Sequence, residues 1–65
     1  MTEKDAVILA DVLGGEPWQG EGDVWLMLVH RGDGRLVVMS DEAVTEYADD
    51  DAFSRNQPEQ VIRLH

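Results

Sequence analysis

Cysteine is absent from this chain and cations are scarce. With no cysteine among 65 residues, the chain has neither a disulfide framework nor a thiolate metal site. Only 5 basic residues stand against 14 acidic ones, giving a formal net charge of −9. Lys4 is the sole lysine. Binding directly to a nucleic-acid backbone requires cations that neutralise phosphates, so this balance argues against it. Long apolar runs are also missing. The longest is the six residues Val24 to Val29, whereas a membrane-spanning helix needs about 20. The opening Met1-Thr2-Glu3-Lys4-Asp5 lacks the basic region of a signal peptide, and the expectation is a soluble, cytoplasmic protein.

What is present argues for a folded domain. A hydrophobic fraction of 43%, gathered in blocks, is too high for intrinsic disorder. A single domain over residues 1–65 falls in the size range where a core is only marginally sufficient. Disulfides are excluded, so oligomerisation is the natural remaining source of stability.

The clearest local signal is Val24-Trp25-Leu26-Met27-Leu28-Val29, then Arg31-Gly32-Asp33-Gly34-Arg35, then Leu36-Val37-Val38-Met39. Asp-Gly between β-branched and aromatic runs predicts a β-hairpin. Both strands are apolar on both faces. With a two-residue turn centred on Gly32-Asp33 or on Asp33-Gly34, paired positions sum to an odd number. One face then holds Val24, Leu26, Leu28 and His30 with Val37 and Met39. The other holds Trp25, Met27, Val29 and Arg31 with Leu36, Val38 and Ser40, and its large, adaptable Trp and Met make it the candidate partner surface.

The flanking segments are less decided. Thr2, Asp5 and Gly14 would cap a helix with Ala6, Leu9, Ala10 and Leu13 on one face. Yet Val7-Ile8-Leu9 is β-prone, and residues 6–13 are read as a strand because the hairpin needs an edge partner. Residues 14–23 hold four of the six glycines and read as a loop in which Trp18 folds back as a lid. Residues 41–48 fit either a helix capped by Ser40 or a third antiparallel strand. Asp49-Asp50-Asp51 breaks regular structure and could cap a single turn through Ala52 and Phe53. Residues 60–65 alternate and read as a closing strand. The expected product is mainly β, with α+β the alternative: a small antiparallel sheet of about four strands, for which an SH3-like barrel is one closure, and one short helix near residues 41–53.

No catalytic, metal or nucleotide constellation rises above its structural explanation, and no enzyme class or cofactor is expected. Arg31-Gly32-Asp33 spells an adhesion tripeptide, but a hairpin tip accounts for each residue. Asp49 to Asp51 lack the alternation and glycine of a calcium loop. His30 and His65 belong to no metal-ligand spacing, although a last strand beside the hairpin would bring them together. Ser40 and Ser54 lie outside any nucleophile-elbow context. Gly20-Glu21-Gly22 and Gly32-Asp33-Gly34 each place an acid where a phosphate loop needs none.

Function is therefore expected to run through protein contacts. The candidate binding residues are Trp18, Trp25, Met27, Val29, Leu36 and Val38, and the leading expectation is a homodimer through the hairpin face or an adjacent edge. For the two tryptophans, core and lid is the main reading, with a binding hot spot as the alternative. The acidity is explained first by solubility. A sharper alternative is mimicry of DNA phosphates, which requires Asp41, Glu42, Glu46 and Asp49 to Asp51 to line one face. A third is a small ligand-binding barrel, which requires a pocket near Trp18 with convergent polar groups.

Overall fold

The computed structural model describes residues 1–64. In chain order its elements are α1 (Glu3–Leu13), β1 (Glu16–Gln19), β2 (Trp25–His30), β3 (Leu36–Met39), β4 (Ala43–Tyr47), α2 (Asp50–Ser54) and β5 (Gln60–Arg63). The strands form one antiparallel meander in the order β1-β2-β3-β4-β5. The fold is mainly β with α+β character. β1 and β5 lie at opposite ends of this order, so among the described residues the sheet is open and the barrel closure is not formed. No helix among them is long and apolar enough to cross a membrane.

Residues 6–13 are helical, which corrects the strand expectation. The signals that win are local. Thr2 Oγ1 accepts a hydrogen bond from the Asp5 N–H at 3.2 Å, Glu3 and Asp5 place negative charge in the first turn, and the chain leaves the helix at Gly14 with the Gly15 N–H bonded back to Ala10 O at 2.9 Å. The hairpin's edge partner comes instead from β1, inside the segment expected to be a loop. Its Pro17 is tolerated because an edge strand leaves alternate N–H positions unpaired. Residues 41–48 resolve as β4, and the short helix α2 falls on residues 50–54, where Asp49 Oδ1 accepts from the Ala52 N–H at 2.7 Å. The closing strand is β5; His65 lies outside the described residues.

The hairpin is present, but its register is not the expected one. Arg31 donates its N–H to Arg35 O at 2.8 Å and Gly34 donates to Arg31 O at 3.1 Å, which leaves a three-residue tip, Gly32-Asp33-Gly34. Gly34 takes φ 87°, the left-handed residue of a three-residue hairpin loop. One additional tip residue changes the pairing parity. Met27 stands opposite Met39 and Leu28 opposite Val38, so paired positions sum to an even number. Odd residues of β2 therefore share a face with odd residues of β3, and the expected grouping of Trp25, Met27 and Val29 with Leu36 and Val38 is corrected.

The two faces carry different covers. On face A, with Trp25, Met27, Val29, Val37, Met39, Val44 and Ile62, α1 packs over β1 and β2. Ala6 and Ala10 are the buried helix residues and Met27 is 0% exposed. On face B, Leu28, Leu36, Val38 and Tyr47 form a cluster joined by Leu26 and by Ala52 and Phe53 of α2.

The turn from α1 into β1 is tight. A Cβ at Gly15 would collide with the backbone oxygen of Leu28 and lie 2.8 Å from Met27 Sδ and 3.0 Å from Val29 Cγ2. Gly15→Ala is therefore expected to destabilise the fold by roughly 1–3 kcal/mol through overpacking. At Gly32 an added Cβ meets nothing within 4 Å, so Gly32→Ala should cost clearly less in parallel urea denaturations.

Candidate functional site

The six candidate binding residues divide between the two faces. Trp25, Met27 and Val29 lie on face A, and Trp18, Leu36 and Val38 lie on face B. Met27, Leu36 and Val38 are buried core residues that support the fold, and Leu36 also borders a cleft on face B. Trp25 and Val29 are half-buried on the α1 side, and Trp18 keeps 48% of its surface exposed.

Two surfaces remain to be considered. The first lies beside α1 on face A. Ile8, Leu9 and Val12 occur at spacings that place them along one flank of the helix, and all three are exposed, Val12 at 71%. Ile8 and Leu9 line a depression with Met1, Asp5 and Asp41. Asp41 belongs to the β3–β4 connection, so this flank looks toward β3 and β4. The neighbouring part of face A carries Val37, Met39 and Val44, all half-buried, and Ile62, which is 51% exposed. Toward the hairpin tip it gives way to an ionic cluster. Arg31 Nη1 lies 3.1 Å and Arg35 Nε 2.5 Å from Glu46 Oε1, and Arg35 also pairs with Glu59. The hydrogen bonds that Arg35 donates to Glu59 and then to Glu46 raise its pKa above the ordinary value, so this guanidinium stays cationic.

The second surface is a cleft of about 250 Å³ on face B, lined by Glu16, Trp18, Leu28, His30, Leu36, Asp50, Phe53 and Ser54. Glu16 and Trp18 are two apart on β1 and project to the same side. Phe53 links the walls: its ring centroid is 5.3 Å from that of Trp18, tilted by 36°, and 5.3 Å from that of Tyr47, edge-on at 74°. At the rim, Nε2 of His30 lies 3.2 Å from Asp50 Oδ1 and donates to it in the Nε2–H tautomer. Trp18 reaches Phe53 from strand β1 and not from a loop, and about half of its surface stays exposed.

The acids that a phosphate-mimicking stripe would require lie at both ends of β4 and within it. Asp41 and Glu42 precede β4 while Asp49 to Asp51 follow it, and Glu46 is held by two arginines. Asp51 pairs with Arg55 at 3.1 Å, and Asp49 caps α2. Among the described residues no group of three or more His, Asp or Glu side chains is placed to hold a metal ion.

Sequence reasoning missed Phe53 as the residue that joins Trp18 to Tyr47, and Ile8, Leu9 and Val12 as an exposed flank. The helical spacing of the latter was visible at residues 6–13; nothing local marked the former. Comparison with protein-family models, with curated proteins and with solved structures returns no match.

Phe53→Ala removes both ring contacts and opens the face B cluster. It is expected to lower stability by about 2–3 kcal/mol, below the range of a fully buried Phe because this ring is only partly covered. Trp18→Ala, on the exposed side of the same contact, should cost about 1 kcal/mol. Chemical denaturation of the two variants checks the ranking.

Proposed function

We propose that this chain acts through protein contacts and pairs with a second copy of itself, the α1 flank of each copy lying on the β3–β5 half of face A of the other. The observation that carries this reading is the adjacency of two apolar surfaces: Ile8, Leu9 and Val12 on the helix, and Val37, Met39, Val44 and Ile62 on the sheet. Each resembles what the other covers within one chain, where α1 already packs on β1 and β2. Facing copies about a two-fold axis would make this contact twice, as an isologous interface requires. The ionic cluster of Arg31, Arg35, Glu46 and Glu59 would lie at its rim, where charge is tolerated.

Sedimentation velocity over a range of concentrations is expected to show a dimer, and a monomer persisting at about millimolar concentration would reject the proposal. Two copies of charge −9 repel one another, so association should tighten as salt rises. Val12→Glu and Ile62→Lys should each give a folded monomer. Mixing the two variants should restore a dimer, because one contact then joins Glu to Lys and the other is native.

A further inference from the structure

We propose that the face B cleft binds a small organic cation, an alkylammonium or guanidinium group. The site stands apart from the face A contact proposed above and does not depend on it. Its floor is apolar, Leu28 and Leu36 being only 3% and 1% exposed. Its walls are the rings of Trp18 and Phe53, and its rim carries the carboxylates of Glu16 and Asp50. The chemistry of these parts is complementary to one class of ligand. A cation is attracted to an indole face through the ring quadrupole, most strongly where water is partly excluded. Carboxylates beside the ring add Coulombic attraction, and the floor receives the ligand's apolar carbons.

Among the lining residues none is Lys or Arg. Arg31 and Arg35 are engaged with Glu46, and Arg55 with Asp51. Among the described lining residues His30 is the one basic group, and its contact is with Asp50. A volume of about 250 Å³ lies below the range of drug-sized pockets. It fits a group the size of one side chain. An anion would meet Glu16 and Asp50, and a neutral apolar ligand would leave both without compensation.

The ligand chemistry has two sources, a free ammonium compound or a basic side chain of a peptide. The experiment is a titration of the intact chain followed by NMR, reading the methyl signals of Leu28 and Leu36 and the indole signal of Trp18. Three probes are used: choline, its uncharged carbon isostere neohexyl alcohol, and N-acetylarginine amide. At least one cation is expected to give saturable shifts with a Kd on the order of 1 mM, and the isostere should bind about tenfold more weakly or not at all. Tighter binding of choline would point to a free ammonium ligand, and tighter binding of the arginine derivative to a side chain. Both outcomes support the site. Glu16→Gln and Trp18→Leu should each weaken cation binding about tenfold, with thermal unfolding confirming that each variant is folded. Should Trp18→Leu fail to fold, Asp50→Asn takes its place with the same expectation. Absence of saturable shifts with both cations, equal binding of the isostere, or unchanged binding in folded variants would overturn the proposal.

Discussion

A five-strand sheet has two faces to cover, and this chain has helices of only 11 and 5 residues with which to do it. Strands lie about 4.8 Å apart and a helix with its side chains is about 10 Å wide, so one helix covers about two strands. That is what α1 does on β1 and β2. Ala6 and Ala10 at the contact let the helix sit close to the sheet, and the same closeness leaves Gly15 as the residue at which the chain turns back against Leu28. The remaining strands of face A have no comparable cover. Their half-buried Val37, Met39 and Val44 follow from that limit of one helix to about two strands.

Face B meets the same shortage differently. α2 is a single short helix, and its two inward residues, Ala52 and Phe53, cannot close a layer alone. Strand side chains complete it. Trp18 leans in from the β1 edge and Tyr47 rises from β4, and both meet the Phe53 ring. An aromatic layer built this way is thin and ends at the sheet edge. The cleft exists because Trp18 reaches α2 above Leu28 and Leu36 without filling the space at its side. Both candidate surfaces thus follow from one constraint, too little helix for two faces.

Much of the sheet was legible because its signals are local. β2, β3 and β5 announce themselves through β-branched and aromatic runs, and the hairpin tip through Gly32-Asp33-Gly34. The helix was legible too, in Thr2, Asp5 and the spacing of Ala6 and Ala10. A strand over the same residues rests only on the tertiary ground that the hairpin needs an edge partner. The partner lay in Glu16-Pro17-Trp18-Gln19, a strand disguised by its proline and by glycines on either side. Register failed for a different reason. A two-residue and a three-residue turn draw on the same Asp-Gly letters, and the choice inverts which residues of β3 join Met27. The face B cleft was the least visible. Glu16 on β1, His30 on β2, and Asp50 and Phe53 on α2 come from three separate elements, and only the meander order combined with α2's return over the sheet brings them together.

Acidic groups border both apolar depressions of this molecule, Asp5 and Asp41 beside Ile8 and Leu9, and Glu16 and Asp50 beside Trp18 and Leu28. Three of the five basic side chains are engaged with carboxylates: Arg31 and Arg35 at the hairpin tip, and Arg55 on α2. The acidic excess therefore falls mainly on groups with no cation beside them, including Glu16 at the cleft. A contact through face A turns the apolar half-sheet inward and leaves face B outward on both copies. Two cation-seeking clefts would then be carried on one rigid body. For a ligand that is a side chain on a larger partner, such pairing raises avidity without any new contact, provided two basic groups of the partner can span the two clefts. Self-association would in that case set the strength of cation binding, although no residue is shared between the two sites.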